Sequence, residues 1–157
     1  MTSLVLLREA CRALGTLLQN MQVSSVYVTK PMYVENQSDF YNMVVCGFVE
    51  QHLTPESLLE HIHKIEASLG RDRSQEVRNG PRSIDIDIEL FGRERVHTLD
   101  LEIPHPRLFE RAFVLVPLCE ALEHACGAPC ELGSDMLSRL YQARKAVSCD
   151  GVQLLSV

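Results

Sequence analysis

Acidic and apolar residues alternate between Ile84 and Leu90, and this stretch carries the clearest chemical signal in the chain. Side chains on a β-strand point alternately to two faces, so Asp85, Asp87 and Glu89 would share one face while the apolar residues are buried together. Carboxylates two residues apart lie about 6.5–7 Å apart along the backbone, which lets both reach a divalent cation, and oxygen ligands favour magnesium. A bare Asp-x-Asp is more often a solvated acidic face, so its surroundings must decide.

Four arginines stand within the twelve residues that lead into this stretch: Arg71, Arg73, Arg78 and Arg82. Arginine presents a fixed, permanently charged fork to phosphate oxygens. Transfer of a phosphoryl or pyrophosphoryl group needs metal ions on the phosphate oxygens and cations that offset the developing charge. The arginines and carboxylates together therefore predict phosphate chemistry. Residues 71–81 show no apolar periodicity, which predicts a mobile loop.

The composition bounds the class of protein. A chain of 157 residues with 46% hydrophobic and 23% charged residues is expected to form one soluble domain over residues 1–157. Its formal charge of -6 argues against a general nucleic-acid binder. Its apolar runs are shorter than the roughly 20 residues that cross a bilayer, and no leader opens it, which predicts a cytoplasmic protein with no membrane partner.

The six cysteines are interpreted as reduced, partly buried thiols, because they sit mostly in apolar segments. His124, Cys126 and Cys130 form one local group that could suggest zinc. Three ligands without a matching second pair make a plain loop the favoured interpretation.

Periodicity predicts an α+β layer fold of order αββαβ followed by short helices. A first helix starts with Ser3 as N-cap, and a second starts at Thr54-Pro55 and ends at Gly70. The remaining predicted elements are helices over residues 108–121 and 134–143 and strands over residues 23–28, 40–49 and 79–92.

The sequence GPRSIDIDI at residues 80–88, followed by LFG at 90–92 and IPHPR at 103–107, resembles the signature of 6-hydroxymethyl-7,8-dihydropterin pyrophosphokinases. The resemblance runs from about Ser24 to Leu122. It implies transfer of the β,γ-pyrophosphate of ATP to the pterin hydroxymethyl oxygen, with release of AMP, in folate biosynthesis. It also implies a ferredoxin-like antiparallel sheet with helices on its faces, two Mg²⁺ ions, and ATP and dihydropterin as small-molecule partners. The oligomeric state stays open.

The resemblance also implies the site residues. Asp85 and Asp87 would bind the two magnesium ions and, with Arg71 and Arg82, form the catalytic set. Glu89 has no role in the family and is expected to be a surface charge. The implied ATP contacts are Glu66, Arg71, Arg73, Arg82, His105 and Arg111. The implied pterin contacts are Thr29, Pro31, Phe40, Asn42 and Phe113, with Tyr41 as the alternative stacking ring to Phe40.

The chain departs from the family in two ways. Members begin with a strand that ends in Gly-Ser-Asn and lies in the middle of the sheet, whereas this chain begins in the first helix, so that strand is expected to be missing. The start site is placed too far downstream, or the shortened form is real. Asn79 stands where members often carry a tryptophan that covers the site.

Two other functions are consistent with the same residues. The first is a shortened, catalytically impaired nucleotide-binding homologue that does not bind pterin productively. The second, weaker one is a metal-dependent nuclease, which the acidic net charge argues against.

Overall fold

The computed structural model describes residues 2–30, 39–72, 84–125 and 131–155. Within these ranges the helices are α1 (Ser3–Leu14), α2 (Pro55–Ser68), α3 (Ala112–His124) and α4 (Ser134–Ala146), and a 3-10 turn at Leu108–Glu110 precedes α3. The strands are β1 (Gln19–Val23), β2 (Tyr27–Thr29), β3 (Phe40–Asn42), β4 (Val45–Phe48), β5 (Val96–His97), β6 (Glu102–Ile103) and β7 (Val152–Leu154). Every pairing among these strands is antiparallel, which confirms the predicted α+β class.

The helix starts follow from capping chemistry. Thr54 caps α2 by accepting a hydrogen bond from the Ser57 amide at 3.1 Å, with Pro55 at the first helical position, as predicted. The predicted cap of α1 is wrong by one residue, because Thr2 accepts from the Val5 amide at 3.3 Å. Threonine and serine both suit this position, so the sequence alone did not separate the two neighbours.

Each of the first two predicted strands is divided into two short ones. Residues 23–28 give the end of β1 and most of β2, and residues 40–49 give β3 and β4. At the break the Ser24 amide donates to the Val44 carbonyl at 2.8 Å, and the Ser24 hydroxyl accepts from the Val44 amide at 2.9 Å. This side-chain bond replaces a ladder bond, so the chain bends there without leaving the buried backbone groups unpaired.

Glu120 ties the connection between β1 and β2 to α3. Its carboxylate accepts from the Ser25 amide at 3.0 Å, the Ser25 hydroxyl at 2.6 Å and the Tyr27 hydroxyl at 2.9 Å. Burial alone would raise the pKa of Glu120, but these hydrogen bonds outweigh burial and lower it. Burial and the same contact raise the pKa of Tyr27 to about 12. The three bonds thus favour the charged form of Glu120.

The stretch predicted as a strand over residues 79–92 lies partly outside the described ranges. Its described part, residues 84–92, forms no strand, so the strand predicted over these residues is wrong. Within the described ranges β4 pairs only with β1. A cavity of about 1070 Å³ is lined by both segments and by side chains of α1, α2 and α3. The described strands form three small sheets rather than one continuous sheet, and no described strand lies between β4 and residues 84–90.

The apolar side chains of residues 84–90 hold this stretch against the helices. Ile84 is buried with Leu6 and Ala10 of α1, and Ile88 is buried in a cluster with Leu58 and Ile62 of α2. Of the half-buried side chains, Ile86 packs against both of these clusters, and Leu90 packs against the α3–α4 core. The predicted alternation is therefore confirmed for Asp85 and Asp87, which are exposed.

The described cysteines are free thiols. Cys119 is buried, Cys11 and Cys46 are half-buried, and Cys149 is exposed. Burial raises the pKa of the first three thiols. Cys126 and Cys130, the candidate zinc ligands, lie outside the described ranges. In the part of the chain that the structure covers, no helix combines the length and apolar character needed to span a membrane.

Candidate active site

Three charged residues form a hydrogen-bonded group that we call the Arg71 cluster: Glu66, Arg71 and Asp85. Arg71 Nη1 donates to Glu66 Oε2 and, at 2.9 Å, to Asp85 Oδ1. The Ile86 amide also donates to Glu66 Oε2 at 2.9 Å. The Glu66 side chain is only 1% exposed and that of Arg71 only 3%, whereas that of Asp85 is 43% exposed. Two buried, opposite charges therefore hold one end of the acidic stretch in place.

The end of α2 explains why this cluster forms. Glu66 follows Leu58 and Ile62 at four-residue spacing, so it lies on the buried face of the helix. Gly70 adopts a left-handed φ of +97°, which glycine tolerates without strain. The chain then reverses, and the Arg71 amide donates to the Glu66 carbonyl at 3.0 Å. This turn brings the guanidinium back to the carboxylate of the same helix.

A second group, which we call the Asp87 cluster, contains Asp87, Glu89 and His105. One possible ligand atom from each residue lies within 4.8 Å of those of the other two. The His105 amide donates to the Glu89 carbonyl at 2.9 Å, which joins the turn after β6 to the acidic stretch. His105 Nδ1 accepts a longer bond, 3.2 Å, from the Arg107 amide. These backbone contacts place an imidazole beside two carboxylates.

The Asp87 cluster is electrostatically unfavourable for its own carboxylates. Burial, followed by the charge of Asp87, raises the pKa of Glu89 to about 7, although Arg111 acts in the opposite direction. Desolvation and the neighbouring Asp85 raise the pKa of Asp87, and burial lowers that of His105. A cation among these residues would favour the ionised carboxylates and so reverse the first two shifts.

Glu89 is not the surface charge that the sequence analysis expected. The residue is half-buried, and its Oε2 atom is fully buried with no hydrogen-bond partner in the described ranges. Arg111 Nε is buried and unpartnered in the same way. The alternation had already placed Glu89 on the face of Asp85 and Asp87. The family pattern, which assigns it no role, led to the wrong expectation.

Two clefts meet at the acidic stretch. The smaller one, about 400 Å³, is lined by four predicted site residues together: Arg71, Asp85, Asp87 and His105. The larger cavity also reaches both aspartates and adds Glu89, Arg111, Asn42 and Phe113. Glu66 lies behind Arg71, so its proposed nucleotide contact stays a prediction. Arg73 and Arg82 lie outside the described ranges.

The predicted pterin contacts lie on β2, β3 and the start of α3. Thr29 and Phe40 are register partners, and the Asn42 amide donates to the Thr29 hydroxyl at 3.3 Å. Phe40 is 54% exposed, whereas Tyr41 and Phe113 are half-buried. The Arg111 guanidinium lies 5.5 Å from the centroid of the Phe113 ring. The choice of Phe40 over Tyr41 as stacking ring stays a prediction, and Pro31 lies outside the described ranges.

Comparison with known proteins identifies the family. Residues 2–123 match the family described as 7,8-dihydro-6-hydroxymethylpterin-pyrophosphokinase. A Bacillus subtilis (strain 168) protein named 2-amino-4-hydroxy-6-hydroxymethyldihydropteridine pyrophosphokinase is 50% identical over 99 residues, which cover 63% of this chain and 57% of that protein. A folic acid synthesis protein of Pneumocystis carinii is 45% identical over 100 residues, or 64% of this chain and 13% of its own length.

A folate synthesis bifunctional protein of Arabidopsis thaliana is 39% identical over 99 residues, which cover 63% of this chain and 20% of that protein. The chain thus spans less than two thirds of the length of each of these relatives. The match to the family nevertheless covers most of the chain, including α1, α2, the acidic stretch and nearly all of α3. The chain belongs to the 7,8-dihydro-6-hydroxymethylpterin-pyrophosphokinase family.

Proposed function

We propose that this chain transfers pyrophosphate from ATP to 6-hydroxymethyl-7,8-dihydropterin and releases AMP, as a step of folate biosynthesis. The observation that carries this proposal is the convergence of Arg71, Asp85, Asp87 and His105 on one cleft. Family membership supplies the substrate class. The cytoplasmic location expected from the composition is part of the same proposal.

Arg71 is proposed to bind the transferring phosphates. Its guanidinium is fixed by hydrogen bonds to Glu66 and Asp85, so its charge needs little reorganisation when the substrate arrives. Arginine presents its donors in a fixed planar fork, and Nη1 makes both of these bonds. A preorganised cation of this kind stabilises negative charge that spreads in the transition state.

Asp85 and Asp87 are proposed to hold two Mg²⁺ ions, whose chemistry is to bridge and neutralise phosphate oxygens. The donor set fits such ions, because both aspartates are exposed to the clefts and carboxylate oxygen is a hard ligand. The buried, unpartnered Glu89 Oε2 adds a further oxygen on the same face. The two aspartates would thereby orient ATP for in-line transfer.

The pterin is proposed to enter the larger cavity, which is lined by Asn42 and Phe113 and also by Asp87 and Arg111. A flat ring can stack on an aromatic side chain while amide groups read its edge. Thr29 holds the Asn42 amide group in position. Phe40 lies at the other end of β3 from Asn42 and does not line this cavity, so its contact with the pterin stays a prediction.

The test is formation of AMP from ATP in the presence of 6-hydroxymethyl-7,8-dihydropterin and Mg²⁺. We expect equimolar AMP and pterin pyrophosphate, and at least a hundredfold loss of rate in Asp87→Asn. A matched control is Asp100→Asn, which removes an exposed carboxylate that also lines the smaller cleft but is not a predicted site residue. Formation of ADP, or AMP release without pterin, would overturn the proposal.

A further inference from the structure

We propose that Asp87, Glu89 and His105 form a divalent-cation site that shares Asp87 with the Asp85–Asp87 pair, does not use Asp85, and is selective for Mn²⁺ over Mg²⁺. Three observations support it. The ligand atoms of the three residues converge within 4.8 Å of one another. Glu89 Oε2 is buried without a hydrogen-bond partner in the described ranges. Asp85 Oδ1, in contrast, already accepts a hydrogen bond from Arg71.

The buried oxygen of Glu89 is the strongest of these observations. A buried polar atom without a partner is costly, and native structures contain few of them. The oxygen belongs to a carboxylate that faces another carboxylate, so a hydrogen-bond donor or a cation would satisfy it. A divalent ion would satisfy Glu89 and Asp87 at once.

The charges around the cluster leave room for such an ion. Two carboxylates face one guanidinium, that of Arg111, which acts on both Asp87 and Glu89. The charge of Asp85 is offset by its ion pair with Arg71, and Glu66 contacts the same guanidinium. Arg107 also acts on His105, but its guanidinium contacts Glu110 at 2.9 Å. Among the described residues the Asp87 cluster is therefore net negative, which attracts a cation.

The imidazole sets the metal preference. Mg²⁺ favours oxygen ligands and retains its water, whereas Mn²⁺ binds nitrogen more readily and Zn²⁺ more readily still. His105 Nδ1 accepts a 3.2 Å bond from the Arg107 amide, so binding through Nε2 requires the proton to lie on Nδ1 and that long bond to break. Loss of one long, exposed bond is a small cost compared with that of leaving Glu89 unsatisfied.

The experiment is Mn²⁺ titration of the intact, nucleotide-free protein, followed by the electron paramagnetic resonance signal of free Mn²⁺ and by calorimetry with Mn²⁺ and Mg²⁺. We expect one Mn²⁺ site that binds at least tenfold more tightly than Mg²⁺. Pulsed resonance should show a ¹⁴N coupling that disappears in His105→Gln. Absence of Mn²⁺ binding, or of the coupling, would overturn the proposal.

The variants separate this site from the aspartate pair. Glu89→Gln, which is nearly isosteric, should weaken Mn²⁺ binding at least tenfold, while Asp85→Asn should weaken it less than threefold. Glu60→Gln removes an exposed carboxylate of α2 and is the control for net charge. Equal binding by Glu89→Gln and the unmodified chain would show that Glu89 only pairs with Arg111, and would overturn the proposal.

Folding of each variant is checked by circular dichroism before titration, and His105→Asn replaces His105→Gln if the latter does not fold. The binding result is independent of catalysis. A chain that releases no AMP but binds Mn²⁺ through Glu89 would contradict the proposed function alone. A chain that releases AMP but has no Glu89-dependent site would contradict the cation site alone.

Discussion

The Arg71 cluster and the Asp87 cluster each include residues of the acidic stretch, yet their polar atoms are satisfied in opposite ways. In the first, buried Glu66 accepts from both Arg71 and the Ile86 amide, and Arg71 also contacts Asp85. In the second, two carboxylates with raised pKa values face each other, and one oxygen has no partner in the described part of the chain.

The difference indicates a division of labour along the acidic stretch. A saturated, buried group is already in its working geometry before any ligand binds, so the Arg71 cluster acts as a fixed frame. An unsatisfied group gains free energy only when a ligand arrives, so the Asp87 cluster is the part that responds to a cation. Mutation of the Arg71 cluster should therefore lower the stability of the fold. Replacement of Glu89 in the Asp87 cluster by an apolar residue should raise it.

The largest expected effect comes from breaking the saturated cluster. Arg71→Met removes the guanidinium that donates a hydrogen bond to the buried carboxylate of Glu66. We expect a loss of about 3–5 kcal/mol in the free energy of unfolding, because removing one partner of a buried ion pair costs about that much. Urea denaturation measures the change. Arg107→Gln, which breaks an exposed pair with Glu110, should cost less than about 1 kcal/mol.

Glu120 is also well hydrogen-bonded, but it lies away from the candidate active site. It therefore tests whether loss of such bonds lowers stability without affecting the rate. Glu120→Gln weakens three hydrogen bonds to a charged acceptor, and we expect a loss of about 1.5–3 kcal/mol at pH 7. The rate of AMP formation per folded molecule should stay unchanged, because Glu120 does not line the clefts at the acidic stretch. A loss of rate without a loss of stability would contradict the comparison.

The same variant carries a pH dependence with a definite sign. The pKa of Glu120 is lowered in the folded state from its usual value of 4.5, so the folded protein binds fewer protons there than the unfolded chain. Its contribution is thus present above pH 4.5 and is lost as pH falls through the lowered folded pKa. Urea denaturation should show a constant gap between the unmodified chain and Glu120→Gln at neutral pH and a shrinking gap below pH 4.5.

The unsatisfied cluster predicts the opposite sign of change. Glu89→Leu replaces a half-buried carboxylate that has an orphaned oxygen by an apolar side chain, and we expect a gain of about 1 kcal/mol in a chelator-treated sample. The thermal midpoint and urea denaturation both report it. A loss of more than about 1 kcal/mol would mean that Glu89 contributes to the frame, and the contrast between the clusters would fail.

The smallest effect concerns α2, the helix that carries Glu66, and leaves the charge of Glu66 unchanged. Thr54→Ala removes the cap of α2 and should cost about 1 kcal/mol of stability. The affinity for Mn²⁺ should be the same as in the unmodified chain, since the cap lies at the far end of the helix from Glu66. Thr54→Ser retains the capping oxygen and should recover most of the loss. A drop in metal affinity would show that the Arg71 cluster is not rigid, which would contradict its role as a fixed frame.

The features that the sequence predicted correctly are local ones. The Thr54 cap, the end of α2 at Gly70 and the alternation of Asp85 and Asp87 depend on neighbours a few residues away. The division of the predicted strands depends on a side-chain bond between Ser24 and Val44, which no periodicity reveals. β7 has three residues and an exposed surface, so it carried too little pattern to predict.

At the candidate site, the buried charged residues are the part that the sequence predicted least well. Glu66 sits at an apolar position of α2, which is a signal that a partner must exist, but the partner depends on the turn at Gly70. Glu89 is expected to be a surface charge because the resemblance gives it no role, although the alternation places it on the acidic face. The residue-level pattern was the better guide at that position.

The sequence separation of its contacts gives the Arg71 cluster a second property, which concerns the order of assembly. Its bonds join residues 5, 14 and 20 positions apart, whereas Ser25 and Glu120 are 95 positions apart. Loop-closure entropy grows with the logarithm of length, so closing 95 residues costs about 1.7 kcal/mol more than closing 14. We therefore expect the Arg71 cluster to assemble early in folding, and the link between α3 and the segment of Ser25 and Tyr27 to form late.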